Sequence, residues 1–367
     1  MALVFIVILV ALVFEYINGF HDTANSIAMG VSTRALTPRV ALTMAACMNL
    51  FGALVGTAVA KTISSGLVSD EVVPKGIMSH LVVSALLGAI AWNLITWWFG
   101  LPSSSSHALV GGVVGAALAA THGDWNSIVW YKPGLHHWWE AGGVIGKVII
   151  PMLLSPVIGF FGGLIVMTLF YVMVRNWRPS RVDRVFRFGQ VFSGSYMGFS
   201  HGSNDAQKTM GIIALTLVAA TSAGTLDTLP DSMKFLRIQE LGADQSHIPV
   251  WIKITCALTM AAGTAAGGWR IIKTMGQKMV RVLPINGFAA DVTGASVLMT
   301  AAHFGMPVST THAITTSIMG VGCARRWSAL KLGVVGRILV AWGLTLPMGA
   351  VIGWCMMRLM YALNWVG

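Results

Sequence analysis

Apolar residues occur along the chain in long stretches that are separated by short polar connectors. A helix needs about 20 mostly apolar residues to cross the hydrocarbon core of a bilayer, and most of the stretches reach that length. They are residues 1–18, 40–60, 77–99, 144–175, 188–225, 249–269, 288–305 and 333–363. The pattern predicts an all-α polytopic membrane protein, because a barrel would instead show alternating segments of about 10 residues.

Some apolar segments do not have the length of one straight crossing. Residues 144–175 and 188–225 are too long, whereas residues 103–120 and 308–322 are too short. Each short segment follows a proline and carries a cluster of hydroxyl side chains near its start. Proline-broken half-elements of this kind are typical of discontinuous and re-entrant helices. We therefore expect about 10–12 membrane segments, including broken helices and re-entrant helical hairpins.

The composition supports a membrane protein and excludes several other classes. Hydrophobic residues make up 55% of the chain, charged residues 10%, and the mean hydropathy is +0.73. A soluble chain carries about 25% charged residues, so a soluble globule, a coiled coil and a disordered protein are excluded. The net charge of +11 does not indicate nucleic-acid binding, because the basic residues lie in the connectors. The four cysteines are far apart and predict neither a zinc site nor a redox pair.

The charges of the connectors predict the orientation of the chain, because cytoplasmic connectors are enriched in lysine and arginine. The connector at 175–187 carries five arginines and is predicted to be cytoplasmic. The following connector, predicted to be external, contains Asp227, Asp231, Glu240 and Asp244 against Lys234 and Arg237. The later basic connectors, predicted to be cytoplasmic, contain Arg270, Lys273, Lys278 and Arg281, and then Arg325, Arg326 and Lys331. Arg34 and Arg39 follow the first stretch, so the N-terminus is predicted to be external.

The chain contains an internal repeat. LPSSSSHALVGGVVG at 101–115 matches MPVSTTHAITTSIMG at 306–320 without gaps, and NGFHDTAN at 18–25 matches HGSNDAQK at 201–208 more weakly. Both pairs occur in the same order, which indicates a duplication. The charge pattern predicts that the two copies are inverted relative to each other, an architecture of many secondary transporters. We predict a first repeat at 1–174, a basic cytoplasmic connector at 175–187 and a second repeat at 188–367.

These motifs resemble the signatures of the inorganic phosphate transporter (PiT) family. The motifs GFHDTAN, LPSSSSHA, HGSNDAQK and PVSTTHAI carry the resemblance, which covers nearly the whole chain. It implies an anion symporter that moves phosphate with sodium or protons, built from two inverted repeats and forming a homodimer. It also implies that Asp22, Asn25, Asp205 and Lys208, together with the two hydroxyl clusters, form the substrate and ion site. The short arginine-rich centre and Asp291 depart from the pattern of many members.

The hydroxyl clusters suit an anion site. A serine or threonine cap before an apolar run predicts a helix start, where free N–H groups and about half a positive charge can hold an anion. The predicted ligands are Ser103, Ser104, Ser105 and Ser106 in one repeat and Ser309, Thr310 and Thr311 in the other. The alternative is that they only cap their helices. His107 and His312 follow these clusters, either facing the anion or bracing the half-helices.

Acidic residues within apolar segments predict the ion-coupling site. A membrane carboxylate costs about 2.5–3.5 kcal/mol on insertion scales and usually marks a site or a pathway. Near an anion, Asp22 and Asp205 require neutralisation by Na⁺, by a proton or by Lys208. Amide oxygens suit a hard cation such as Na⁺, which we expect at Asp22, Asn25 and Asp205. Further expected members of the substrate and ion site are Asn204, Gln207, Glu15 and Asp291.

The sequence thus favours import of inorganic phosphate by symport with Na⁺ or H⁺ through alternating access, in the inner cell membrane and without a cofactor. The main alternative is a sulfate permease of the same family. A channel is a further alternative. An intramembrane hydrolase is another: GFSHG at 198–202 matches GxSxG, but no HExxH motif is present and a duplicated site is unexpected for an enzyme with one nucleophile. The coupling ion, its stoichiometry, co-transport of a metal with phosphate and any cytosolic regulator stay open.

Overall fold

A computed structural model describes residues 2–65, 67–69, 71–134, 141–238 and 248–366 of the protein. Glu240 and Asp244 of the predicted external connector lie outside the described residues. Within them the fold is helical, with isolated β-bridges only at Val68–Ile128 and Lys132–Gly142. The helices are α1 Ala2–Ser32, α2 Pro38–Leu54, α3 Ala58–Ser65, α4 Met78–Phe99, α5 Ser105–Ala120, α6 Ile150–Val174, α7 Pro179–Ser222, α8 Val250–Ala266, α9 Trp269–Lys273, α10 Pro284–His303, α11 Thr310–Cys323 and α12 Leu332–Ala362. The all-α prediction is confirmed.

Length and composition allow four helical segments of the described chain to cross a membrane alone. They are α1, α4, α12 and the segment Ile145–Val174, which joins one π-helical turn to α6. A fifth crossing results if α8 and the segment Trp269–Lys278, which are bent by 58° at their junction, count as one span. Two further apolar helices, α2 and α5, are shorter than a full crossing.

The predicted broken helices occur at equivalent places in the two halves. Gly100 follows α4 and Gly305 follows α10, each with φ of 64°, a left-handed conformation that glycine adopts without strain. Pro102 and Pro307 come two residues later, and α5 and α11 then begin at the hydroxyl clusters. Each break therefore joins a longer helix to a shorter one in a helical hairpin.

The backbone is not broken at the acidic motifs, although each motif contains a glycine and an asparagine, residues that tolerate an unwound helix. Asp22 lies inside α1 and Asp205 inside α7, both continuous helices. The glycines serve close packing instead. A Cβ at Gly19 would lie 2.5 Å from the carbonyl oxygen of Met260, and one at Gly202 would lie 2.3 Å from that of Asn49. Small residues of this kind allow helices to approach closely in a membrane.

The helices of the two halves correspond in order and in contacts. Among the described residues, the six helices α1–α6 end before the basic connector begins at residue 175. The six helices α7–α12 all begin after that residue. The contacts between the halves are exchanged: α5 packs on α12 and α11 on α6, while α2 packs on α7 and α8 on α1. The helices α1 and α7, which carry the two acidic motifs, run antiparallel. Glu15 in α1 contacts Thr209 late in α7, whereas Arg34 just after α1 contacts Arg187 early in α7. Residue numbers therefore rise in opposite directions along the two helices.

Connectors that were predicted to share one side of the membrane lie together. The Arg187 side chain donates a hydrogen bond to the carbonyl oxygen of Arg34 over 3.1 Å. The backbone nitrogen of Lys331 donates to the carbonyl oxygen of Met279 over 3.1 Å. Only residues 175–178 of the predicted connector 175–187 lie between helices, because α7 begins at Pro179 and contains the rest.

We expect Gly320→Ala to destabilise the fold through a steric clash. A Cβ at Gly320 would lie 1.9 Å from the carbonyl oxygen of Phe160 in α6, and the equivalent Gly115 has the same 1.9 Å separation from Ala350 in α12. Overpacking of this kind costs about 1–3 kcal/mol, so the unfolding temperature in detergent should fall. Gly343→Ala is the matched control, because a Cβ at that exposed position of α12 meets no atom within 4 Å. Equal unfolding temperatures for both variants would contradict the close packing of α11 on α6.

Candidate functional site

The two motif carboxylates meet where the antiparallel helices α1 and α7 cross. Ligand atoms of Asp22, Asp205 and His201 all lie within 4.8 Å of one another. Asp22 is 3% exposed and Asp205 is 1% exposed, so both carboxylates are out of contact with solvent. We call Asp22, Asp205, His201 and the hydroxyl, amide and lysine groups that contact them the central cluster. Buried carboxylates in a membrane protein need partners or a bound cation, and the cluster has the donor set for either.

Asp22 is surrounded by donors from both halves of the chain. The Nδ1 atom of His21 lies 2.6 Å from Asp22 Oδ1. The hydroxyl of Ser105, at the start of α5, donates to Asp22 Oδ2 over 3.4 Å. The hydroxyl of Thr311, at the start of α11, donates to Asp22 Oδ1 over 3.4 Å. Asp22 therefore joins the N-termini of the two half-helices.

Asp205 has a lysine partner in addition to neutral donors. Lys208, one turn later on α7, forms a short ion pair with Asp205 Oδ1. The Nε2 atom of His201 lies 3.2 Å from Asp205 Oδ2, and the hydroxyl of Thr310 donates to the same oxygen over 3.1 Å. The formal charge of the two aspartates and Lys208 is negative by one unit, if both histidines are neutral.

Asn25 and Lys208 occupy equivalent positions in the two acidic motifs and make equivalent contacts. The amide of Asn25 donates to the hydroxyls of Thr310 and Thr311 over 3.2 and 3.1 Å. The ammonium group of Lys208 donates to the hydroxyl of Ser106, which is the counterpart of Thr311 in the other half. Each motif therefore reaches the hydroxyl cluster of the opposite repeat. The two contacts differ in charge, since only Lys208 brings a cation.

The hydroxyl clusters divide into capping and cluster-facing residues. Ser104 and Ser309 are the N-caps of α5 and α11, and their Oγ atoms accept from the backbone nitrogens of His107 and His312 over 3.2 and 3.1 Å. In each cluster the capping residue is therefore followed directly by a residue that contacts a carboxylate, Ser105 after Ser104 and Thr310 after Ser309. The oxygen atoms that meet the carboxylates, Asn25 and Lys208 belong to Ser105, Ser106, Thr310 and Thr311.

Several residues predicted for the site have their polar atoms engaged elsewhere. The Gln207 side-chain oxygen accepts from the backbone nitrogen of Val59 over 2.9 Å at the start of α3, so this amide caps a helix. Asp291 accepts from Ser193 over 3.1 Å. Ser193 lies on α7 about three helical turns before Asp205. Glu15 lies about two turns before Asp22 on α1 but stays beside the central cluster, because it accepts from Thr209, the residue after Lys208, and interacts electrostatically with Asp205 and Lys208. Among the described residues, the buried amide of Asn204 has no hydrogen-bond partner.

The two predicted supporting histidines contact each other. The rings of His107 and His312 are edge to face with centroids 4.8 Å apart, and His312 also stacks on Trp342 at 3.9 Å. Neither ring has a nitrogen with a hydrogen-bond partner in the described part of the chain. This geometry agrees with the bracing alternative, because the pair joins the first turns of α5 and α11.

Two residues that complete the central cluster, Thr96 and Asn49, were not predicted from the sequence. The Nε2 atom of His21 lies 3.1 Å from the hydroxyl of Thr96, which lies 2.8 Å from that of Ser103. Ser103 therefore extends a polar chain from Asp22 to the end of α4. On the other side, the side-chain oxygen of Asn49 accepts from His201 Nδ1 over 3.1 Å, and its amide nitrogen donates to the hydroxyl of Thr264. The sequence feature that could have indicated Thr96 and Asn49 is that each is a polar residue inside an apolar stretch.

Comparisons with known proteins give a consistent result. A sequence model described as "Phosphate transporter family" matches residues 18–353. A Bacillus subtilis (strain 168) protein named "Probable low-affinity inorganic phosphate transporter" is 40% identical over 351 residues, covering 96% of this chain and 95% of its own length. A Rhizobium meliloti (strain 1021) protein of the same name is 43% identical over 351 residues, covering 94% and 92%. The solved structure titled "The sodium-dependent phosphate transporter" has a TM-score of 0.76 and 24% identity over 100% of both chains, which shows a shared fold.

Proposed function

Because the chain belongs to the phosphate transporter family, we propose that it imports inorganic phosphate by symport with a cation through alternating access. Membership of this family confirms the resemblance carried by the four motifs and makes the protein a membrane transporter rather than an enzyme. The intramembrane hydrolase is therefore excluded. The relatives named above are named for phosphate, and the sulfate alternative gains no support from them.

The N-termini of the half-helices α5 and α11 lie together at the two buried carboxylates, and this arrangement is the main support for the proposal. The N-termini of α5 and α11 bring free N–H groups and the hydroxyls of Ser105, Ser106, Thr310 and Thr311 to one place. Such ends hold anions through their backbone donors and their dipoles. A tetrahedral oxyanion can then accept hydrogen bonds from both sides, with Lys208 supplying a positive charge.

The negative charge of the central cluster couples the binding of phosphate to the binding of a cation. The cluster already carries one excess negative charge, so a phosphate anion that enters alone meets repulsion from Asp22 and Asp205 in a site without solvent. A cation at the carboxylates removes that repulsion, so phosphate and cation bind better together than separately. Carboxylate and amide oxygens suit Na⁺, while the histidines beside both carboxylates suit protons. The coupling cation is Na⁺ or H⁺.

The carboxylates also favour phosphate over sulfate. Phosphate near neutral pH keeps at least one O–H group, which can donate to a carboxylate oxygen. Sulfate lacks that donor, so it would leave a buried acceptor without a partner. We propose that Asp22 and Asp205 select phosphate in this way.

The repeats supply the two alternating states. We propose that residues 1–174 and 188–367 are inverted repeats, supported by the antiparallel course of α1 and α7 and by the exchanged helix contacts. Rocking of one repeat against the other would open the central cluster to each side in turn. The paired connectors support an orientation with the basic connectors and the C-terminal end of α1 inside, and hence an external N-terminus in the inner cell membrane. A homodimer is part of the same proposal.

The function is tested by uptake of radiolabelled phosphate into proteoliposomes. We expect accumulation when a Na⁺ gradient or a proton gradient is imposed, and no inhibition by excess sulfate. Sulfate accumulation without phosphate accumulation would contradict the proposed substrate. Flux that does not saturate and is not bounded by the ion gradient would instead indicate a channel.

Thr311→Val is expected to weaken phosphate binding at least about tenfold. The variant keeps the shape of the side chain but removes the hydroxyl that contacts Asp22 and Asn25, and a hydrogen bond to a charged group contributes about 1.5–3 kcal/mol. The measurement is the phosphate concentration that half-saturates uptake. Thr316→Val is the control, because that buried hydroxyl on α11 donates to its own helix at His312. An unchanged value in Thr311→Val would show that the hydroxyl cluster serves only its helix.

A further inference from the structure

A cavity separate from the central cluster lies where the connector before α10 meets the connector after α11. Its volume is about 460 Å³, within the range of about 300–1,000 Å³ that is usual for small-molecule sites. Four basic residues line it: Arg281, Arg325, Arg326 and Lys331. None of the central-cluster residues lines this cavity.

The walls of the cavity are held in place by contacts between the connectors. The backbone nitrogen of Lys331 donates to the carbonyl oxygen of Met279, which joins the two segments. The side chain of Asn286 accepts from the backbone nitrogen of Leu283 and fixes the start of α10. Gly322 of α11 faces Val280 closely, since a Cβ there would lie 2.9 Å from Val280 Cγ2. The cavity is therefore a feature of the folded connectors.

The positive charge of the cavity is not balanced. Among the described residues, none of its four basic side chains forms an ion pair, and its lining contains no acidic residue. Elsewhere on the surface, Arg187 pairs with Asp183 and Lys234 pairs with Asp231. Like charges around one concave space repel each other and attract anions.

We propose that this cavity binds an anion that carries two or more phosphate groups. Arginine suits such a ligand, because its planar guanidinium group can form two parallel hydrogen bonds to one phosphate. Four cations and this volume exceed what a single inorganic phosphate needs. The ligand is either a soluble polyphosphate or the headgroup of a phospholipid with two phosphates, since basic pockets near the cytoplasmic surface also hold such headgroups.

The test is binding of inorganic tripolyphosphate and of cardiolipin to the purified full-length protein in detergent at low ionic strength. Arg325→Gln with Arg326→Gln is the main variant, and Ser328→Glu, which adds a carboxylate to the same lining, is a second variant that leaves the arginines in place. Arg175→Gln with Arg184→Gln is the matched control, because it removes two exposed arginines outside the cavity, one directly after α6 and one near the start of α7. Asn25→Ala reports on any binding at the central cluster.

We expect one of the two probes to bind the wild type. Its dissociation constant should rise at least about tenfold in the Arg325/Arg326 variant and in Ser328→Glu, and stay unchanged in the control and in Asn25→Ala. Loss of tripolyphosphate binding identifies a soluble ligand, and loss of cardiolipin binding identifies a lipid headgroup. If neither probe binds, or if the Arg175/Arg184 control weakens binding equally, the proposal is overturned and the arginines serve only membrane orientation.

Discussion

Asp22→Asn is expected to abolish gradient-driven phosphate uptake while the protein stays folded. The substitution keeps the size of the side chain but removes the charge that we propose holds the coupling cation between α1 and the two half-helices. Because a carboxylate buried in a membrane protein is costly, its removal should leave the unfolding temperature equal to or above that of the wild type. Labelled uptake into proteoliposomes and thermal unfolding in detergent measure the two effects on one preparation.

The control for this variant is Asp183→Asn. Asp183 also lies on a motif-bearing helix, but it is half-exposed and pairs with Arg187 at the surface. Its uptake should match that of the wild type. Wild-type uptake in Asp22→Asn would contradict the coupling mechanism, whereas a loss of folding would show that Asp22 has a structural role.

Lys208→Met is expected to cause the largest loss of stability. Lys208 and Asp205 form an ion pair in which both side chains are at most 3% exposed. Removing the lysine leaves the carboxylate buried without its counter-charge, a change that costs about 3–5 kcal/mol in other buried pairs. Combining it with Asp205→Asn should recover most of this loss, because no unpaired charge then stays buried. The measurement is denaturation of the wild type and the two variants in detergent.

The chain offers a matched exposed pair as the control. Lys234 lies three residues after Asp231, the same spacing as in the buried pair, but the two side chains are 56% and 89% exposed. Lys234→Met should leave the unfolding temperature unchanged, since exposed ion pairs contribute little. If Lys208→Met were equally harmless, Asp205 would not depend on Lys208 for its charge balance. The Asp205→Asn/Lys208→Met double variant should fold but fail to transport.

The duplicated motifs allowed much of the site to be predicted. The hydroxyl clusters, each after a proline, predicted two helix starts, and the structure has the starts of α5 and α11 there. Gly115 and Gly320, aligned by the repeat, each contact the backbone of a neighbouring helix at the same distance. Such features can be predicted because caps, prolines and small residues act locally and recur in both copies.

Features that depend on packing between distant helices could not be predicted. Sequence alone does not show which carboxylates converge. Asp291 was grouped with Asp22, although its hydroxyl partner Ser193 lies about three helical turns before Asp205 on α7. Gln207 was assigned to the ion, yet its oxygen caps α3, a helix about 150 residues away in sequence. Sequence alone also does not distinguish a flexible glycine from one at a close helix contact, such as Gly19 beside Met260.

Phosphate and the coupling cation are proposed to occupy one site and to assist each other's binding. Calorimetry of phosphate binding to the purified protein tests this proposal, with Na⁺ varied at constant pH and then pH varied at constant Na⁺. We expect the phosphate affinity to rise with one of these cations, and we expect this dependence to be lost in Asp22→Asn. A phosphate affinity that is independent of both cations in the wild type, or a dependence that persists unchanged in Asp22→Asn, would show that the cation and phosphate do not assist each other at this site.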